Sequence, residues 1–433
     1  MKRDSLALRR SLVGVVALFP LLVLPPASAQ DTSKNPAYMG VGSCSSSNCH
    51  GSVSPRQASS VLQNEYSIWE KHDVHSKAWI NLTNEDSKKI AENLGISSPE
   101  KDPLCLDCHA TYLGANARQG ANYHLEDGVG CESCHGAAEN YLGPHTANDA
   151  THKRNIELGM TDLLSIEKRV ELCASCHFGT NNKYVDHRLI GAGHPRLSFE
   201  LDTFSMIQPR HWVVDEDYVK RKEDYNSAEA WLKGQVYLAR RTVERLGSEK
   251  LSKHGIFPEL TIFYCFACHH SLTEDQWKVR DYGGQPGELQ LNVSSIVIVR
   301  EALKAINPSV AGPLEESLQS LHSSYRLGDN KDLKTLEKHL SLASQAVENA
   351  SFSPQLLGKL LSRLAGFCAD GKHQQYEVAE QVAMGMSSIL AAMGSSESLY
   401  KDEVDAIYAA LKQSEEFNAA AFTEACGKLS KKL

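Results

Sequence analysis

Beyond residue 287 the apolar positions recur at three- and four-residue intervals. Ile296, Val299, Leu303 and Ile306 share one helical face. So do Leu314, Leu318, Leu321 and Tyr325, and then Leu333, Leu336, Leu340, Ala343 and Val347. Ser353-Pro354 has the cap-and-first-turn signature of a further helix. Helices of about 12–20 residues on short links predict an antiparallel bundle. Upstream, one segment is clearly helical: Ala228 to Leu246, with Trp231, Val236, Leu238 and Val243 set among charges. The rest of residues 40–280 lacks sustained periodicity and predicts short helices and long loops. Gly283-Gly284-Gln285-Pro286-Gly287 is the best boundary between the two patterns. The fold class expected is mainly α, with a loop-rich domain over 30–284 and a helical bundle over 285–433.

A different apolar run, Leu12 to Leu24, follows a basic start (Lys2, Arg3, Arg9, Arg10) and precedes Ala27-Ser28-Ala29. This is the layout of a secretory signal cleaved after Ala29. The run contains Pro20 and falls short of the roughly 20 residues that span a bilayer, so a membrane anchor is not expected. The chain carries a formal net charge of -8, and removing the basic leader leaves a still more acidic mature protein. That sign argues against nucleic acid as a partner and for an exported protein in a compartment that permits thioether and disulfide chemistry.

The 433 residues include 12 Cys and 18 His, and the cysteines are patterned. Four copies of Cys-x-x-Cys-His occur: Cys105/Cys108-His109, Cys131/Cys134-His135, Cys173/Cys176-His177 and Cys265/Cys268-His269. Chance predicts about 0.01 copies at this composition. The spacing is that of c-type haem attachment. Two thiols add across the two vinyl groups of one porphyrin, and the following His ligates the iron as proximal ligand. Paired Cys-x-x-Cys units also build zinc sites, but zinc gives no reason for a His after each second Cys. A fifth site is stretched: Cys44-Ser-Ser-Ser-Asn48-Cys49-His50. Its longer loop still allows both sulfurs to reach one porphyrin, so five covalently attached haem c groups are expected. Cys368 and Cys426 have no haem spacing and predict a disulfide between two C-terminal helices.

Ten further histidines lie near the motifs: His72, His75, His124, His145, His152, His187, His194, His211, His254 and His270. Only three methionines do so: Met39, Met160 and Met206. Supply favours bis-His ligation, which gives low potentials. His75, His124, His145, His187, His194 and His211 are the distal candidates. Trp69, His72, His75 and Trp79 fall at near-helical spacing, predicting one face with two histidines, of which one can reach a given iron. His187 and His194 flank Leu-Ile-Gly-Ala-Gly, small enough for close approach to a porphyrin. His152 and His254 sit among Lys and Arg and read as solvated. His270 follows a proximal His directly and reads as a non-ligand.

The order and spacing over about residues 40–180 resemble the cytochrome c-554 family of multihaem electron carriers linked to hydroxylamine oxidation. The resemblance rests on the first haem motif, then Trp69…His75-Ser-Lys-Ala78, Cys105-x-x-Cys108-His109, Gly128-Val-Gly-Cys131-Glu-Ser-Cys134-His135-Gly136, Gly143-Pro-His145 and Cys173-Ala-Ser-Cys176-His177. It implies His75 as distal ligand to the haem at Cys131/Cys134 and His145 as distal ligand to the haem at Cys44/Cys49. In the family the second haem in sequence, here the one at Cys105/Cys108, can lack a sixth ligand. The chain departs from the family in its stretched first motif, its fifth motif and its added C-terminal region.

The function expected is electron transfer between redox partners by an exported pentahaem cytochrome. Its acidic surface would steer a partner with a basic docking surface. The competing reading is an enzyme acting on small nitrogen compounds (hydroxylamine, nitric oxide, nitrite) at one open iron. Such an enzyme needs a haem without a distal ligand. The chain has no Cys-x-x-Cys-Lys motif of the kind that carries the active haem of pentahaem nitrite reductases.

Overall fold

The computed structural model describes residues 35–433 apart from 57–60, 223–224, 253–257, 270–289, 326–330, 373–374, 395 and 413–416. The leader segment, His254, His270 and the Gly283–Gly287 boundary therefore lie outside the described residues. Among those described, the protein is helical with no sheet. Two isolated bridges, Tyr38 with Gln119 and Phe263 with Leu291, are its extended pairings. No described helix is long and apolar enough to cross a membrane.

The C-terminal region packs as its periodicity predicts. Helices Ser294–Ile306, Pro308–Ser324, Lys331–Glu348, Pro354–Ala369, Tyr376–Ala392 and Ala419–Lys432 bury their apolar faces in one core. Ile296, Val299, Leu318, Leu336, Leu360 and Phe422 are fully enclosed there. Ser353 caps its helix by accepting the Leu356 N–H, with Pro354 in the first turn. Cys368 and Cys426 form a disulfide between two of these helices, with Cα atoms 5.7 Å apart.

Helix Ser227–Gly247 belongs to this core as much as to the region before it. Trp231, Leu232, Val236 and Val243 enter the C-terminal core, while Ala230 and Leu238 pack against Val170, Ala174 and Phe199 on the other side. A helix buried on two faces becomes a shared wall, and burial of its small residues on both faces permits this. Gly385 lies so close to it that a Cβ there would stand 2.7 Å from the Trp231 ring.

The region before residue 227 has short helices and small side-chain clusters. One is Leu82, Leu106 and Ala110; another is the Val170–Phe199 group. The expected single helix over residues 69–79 is broken. Helix Glu65–His72 stops at Asp73, which is extended (φ -88°, ψ 122°), and a 3-10 turn, Val74–Lys77, follows. The Asp73 carboxylate accepts the His75 backbone N–H and so starts that turn. The break turns His72 out to solvent and His75 inward.

Candidate haem-binding site

Each Cys-His motif sits on or beside a short helical element. Helices Pro103–His109, Cys131–His135 and Ile166–His177 all end on their proximal His. Caps fix where they start: Asp102 accepts the Leu104 N–H and Ser165 the Lys168 N–H. A terminal helical turn brings the second Cys and the His to one side of the chain. The motifs also touch one another. The Cys44 thiol lies beside Cys131, and Cys108 beside Cys176. Cys134 lies beside Cys173 and Cys176.

Cys268 departs from the uniform set of attachment cysteines that the repeated motif predicts. The other nine, Cys44, Cys49, Cys105, Cys108, Cys131, Cys134, Cys173, Cys176 and Cys265, are all partly buried, whereas Cys268 is exposed. The cause is local. In the fifth motif the helical element is a single 3-10 turn, Cys265–Ala267, which ends before the second cysteine. The other three two-residue-spaced motifs continue as α-helix through that cysteine to the histidine. Here the His269 N–H still bonds back to the Cys265 carbonyl at 2.9 Å, so the histidine is held while the Cys268 side chain is left at the surface. Cys268 therefore keeps the motif's spacing and its neighbour His269 without the enclosure of the other nine.

Every proximal histidine ring faces one histidine from outside the motifs. His50 faces His145 with ring centroids 6.1 Å apart. His177 faces His75 at 6.0 Å, His109 faces His194 at 6.4 Å, His135 faces His211 at 6.3 Å, and His269 faces His187 at 6.1 Å. The spacing is nearly constant while the interplanar angle runs from 9° to 89°. Rings stacked on each other directly would favour particular angles. Two imidazoles ligating one metal from opposite sides, each at about 2 Å, stand about 6 Å apart by centroid and are free to rotate about their common axis. The residues therefore fit an axially ligated haem iron at each motif. No group of three or more His, Cys, Asp or Glu among the described residues converges to hold a bare metal ion, so the cysteine pairs are not arranged as zinc sites.

The pairing differs from the one implied by resemblance in one respect. His75 stands opposite His177, and His211 takes the place opposite His135. The turn at Asp73 aims His75 toward helix Ile166–His177. His145 stands opposite His50. His109, in the motif whose family counterpart can lack a sixth ligand, has His194 opposite it. His124 is exposed, and no proximal ring among the described residues faces it. His152 is exposed and pairs with Asp162 at 3.1 Å. Helix His187–Ala192 lies between two of the distal positions, with His187 at its start and His194 just beyond its end. Asp186 caps it by accepting the Leu189 N–H, and Gly193, at φ 119°, ends it.

Hydrogen bonds set ring orientation. His109 Nδ1 donates to the Ala78 carbonyl at 3.0 Å, His145 Nδ1 to Tyr141 at 2.9 Å, and His194 Nδ1 to Pro195 at 2.7 Å. His50 Nδ1 and His75 Nδ1 instead donate to carboxylates, Glu65 at 2.9 Å and Asp73 at 2.8 Å. In all five, Nδ1–H is used and Nε2 is left as the ligating nitrogen. Gly128, at φ 73°, passes so close under this turn that a Cβ would lie 2.8 Å from the His75 carbonyl, which accepts the Val129 N–H at 3.0 Å. This contact ties the Gly-Val-Gly-Cys motif to its neighbour's distal histidine.

Burial pushes the His135 imidazole down to about 4, with His211 adding to the effect. Burial likewise lowers His109, His177 and His211. These rings are held neutral, the form that binds metal. His50 and His75 are raised instead, each by its carboxylate partner. Asp73 itself is pulled up by burial but lies below its ordinary value, because its bonds from His75 outweigh that effect.

Three of the pairs open onto one cavity of about 1210 Å³, walled by His75, His109, His135, His177, His194 and His211. Pockets for single small ligands span about 300–1,000 Å³, so this one has room for more than one large flat group. The fifth motif has a different wall. Cys265 lies beside the buried Glu377 of the C-terminal bundle. Nearby, Arg196 and Ser198 hold Glu380 at 3.0 and 2.6 Å. The bundle, which sequence patterning gave no chemical role, thus forms one side of this motif, and the Cys268 side lies open.

Comparison with known proteins agrees with this geometry. A curated cytochrome c-554 from Nitrosomonas europaea is 31% identical over 136 residues, a match covering 28% of this chain and 55% of the relative. The chain thus spans about half the length of that relative. No solved structure matches significantly. Residues 43–136 match the family model described as cytochrome c554 and c-prime.

Proposed function

We propose that this protein is an exported pentahaem c-type cytochrome that moves electrons between protein redox partners and carries out no chemistry on a small substrate. The match of residues 43–136 to the cytochrome c554 and c-prime family model supports the coarser part of that reading, a multihaem electron-transfer cytochrome. The observation that carries the finer part is the one-to-one pairing of five proximal with five non-motif histidines at 6.0–6.4 Å.

Cys44/Cys49, Cys105/Cys108, Cys131/Cys134, Cys173/Cys176 and Cys265/Cys268 would hold the five groups through thioethers. His50, His109, His135, His177 and His269 would be proximal ligands, with His145, His194, His211, His75 and His187 opposite them in that order. Haem c, when bound, supplies an iron that takes up and returns one electron. The paired histidines close both axial positions, which favours electron transfer over substrate binding. Burial keeps the His109, His135, His177 and His211 rings neutral. Contacts between motifs at Cys44/Cys131, Cys108/Cys176 and Cys134/Cys173 keep the attachment points close. The acidic chain favours a basic docking partner, so complex formation should weaken as salt rises.

Pyridine haemochrome assay of the purified protein should give five haems per chain, and carbon monoxide added to the reduced protein should leave the optical spectrum unchanged. A haem that binds carbon monoxide at neutral pH would overturn the carrier reading in favour of an enzyme with an open iron.

A further inference from the structure

We infer that Asp73 makes the His75/His177 pair a low-potential site, by holding a buried negative charge on the outer nitrogen of an axial ligand. The inference rests on the ligand pairing proposed above.

The Asp73 carboxylate is 4% exposed and fully engaged. Its Oδ1 accepts from His75 Nδ1 at 2.8 Å and from the His75 backbone N–H at 3.0 Å. Its Oδ2 accepts from Gln208 Nε2 at 3.2 Å. No Lys or Arg is paired with it in an ion pair among the described residues; its partner there is the His75 imidazole, which is neutral when it ligates a metal. A carboxylate on Nδ1–H draws that proton toward itself and makes Nε2 a stronger donor to the metal. A stronger donor and a nearby uncompensated negative charge both favour the ferric over the ferrous state. Reduction adds one electron to the iron while the proton stays between Asp73 and His75, so the charge is not neutralised locally. At His109, His145 and His194 the Nδ1 partner is a backbone carbonyl, which carries no net charge. His50 has a carboxylate partner, Glu65, but a more exposed one: 18% against 3% by side chain, so water screens it more. Of the axial ligands with a described Nδ1 partner, His75 therefore has the strongest electrostatic bias. Gln208 tempers it by sharing the carboxylate's charge.

The test is a spectropotentiometric titration of the haem-loaded protein, with electron paramagnetic resonance at each potential. In Asp73→Asn one of the five one-electron components should move upward by about tenfold in its reduction equilibrium, which is about 59 mV, and its haem should remain low-spin. Asp73→Glu should restore most of the shift. Gln208→Leu, which removes a donor from the carboxylate, should move the same component the other way. Equal movement of all five components, no movement, or a shift that Asp73→Glu does not reverse would overturn the role of Asp73. Fewer than five low-spin haems in the unmutated protein would instead overturn the ligand pairing on which it rests.

Discussion

Between residues 290 and 433 the interior is filled by side chains: Leu318, Leu336, Leu360, Phe367 and Phe422 meet with almost no exposure. Between residues 35 and 222 the side-chain clusters are small, and a cavity of about 1210 Å³ is bordered by histidines and motif cysteines. Both regions are helical, yet their helices have different tasks. In the bundle, a helix exists to bury a stripe of Leu and Val, and its length follows from that stripe. In the motif region, a helix such as Cys131–His135 is five residues long and exists to aim two sulfurs and a nitrogen. Under the proposed function, porphyrin would complete the core there, a large apolar surface supplied from outside the chain. Helix Ser227–Gly247 is where the two ways of filling an interior meet.

The largest effect expected from this contrast comes from withholding the cofactor. The full chain, produced where haem is not attached, should lose its fold before residue 227 and keep it in the bundle. Limited proteolysis with mass mapping should place cuts throughout residues 35–222 and leave Ser227–Gly247 and the C-terminal helices resistant. Uniform digestion of both regions would show that the bundle has no stability of its own. Next in size is the disulfide. Cysteines 58 residues apart close a loop worth about 4 kcal/mol in the chain-entropy model. Replacing Cys368 and Cys426 by Ala together should lower the unfolding midpoint of the bundle in denaturant while the haem spectrum stays as it was.

Glu200 tests the seam between the regions. Its carboxyl is wholly buried and accepts the Asp202 and Thr203 N–H groups at the start of helix Leu201–Ile207. Burial pushes it up to about 7, against 4.5 ordinarily, although those N–H bonds favour the charged form. Between those two values the unfolded chain gives up a proton that the native state keeps. Stability should therefore fall as pH rises through that window, by about 3 kcal/mol in all at about 1.4 kcal/mol per pKa unit. Glu200→Gln should flatten that slope in denaturation curves measured at pH 4.5 and 7. An unchanged slope would assign the pH dependence to other groups.

The two regions were not equally readable from sequence. The bundle was legible because its helices answer to a local period, and the faces of Ile296–Ile306 and Leu333–Val347 are buried as that period predicts. The attachment motifs were legible because both sulfurs and the histidine come from one short stretch. Their surroundings were not: the same spacing gives a partly buried Cys176 and an exposed Cys268, because one motif ends a 12-residue helix and the other follows a single turn. The partner across each iron was not legible either, because it comes from far along the chain: His145 for His50, His211 for His135. Resemblance directed His75 to the Cys131/Cys134 motif, yet the ring faces His177. A single extended residue, Asp73, decides its direction, and periodicity across residues 69–79 hides that residue. Asp73 and Glu65 were themselves passed over. An acidic residue two before a candidate ligand, as in Asp73-Val-His75, was the available signal. The seam role of Ser227–Gly247 was also hidden, because its charged residues suggested one buried face where there are two.

Five histidine pairs at 6.0–6.4 Å would close both faces of the five proposed irons. Electron paramagnetic resonance of the fully oxidised protein, with spins quantified against haem content, tests this most directly. Near-perpendicular imidazole planes give low-spin ferric signals of large g-anisotropy, and near-parallel planes give ordinary rhombic ones. The angles of 81°, 89° and 73° at His75/His177, His109/His194 and His135/His211, against 9° at His50/His145, predict three sites of the first kind and at least one of the second. The result expected is five low-spin haems with both kinds of signal and no high-spin iron. A high-spin ferric signal amounting to one haem per chain would contradict the account.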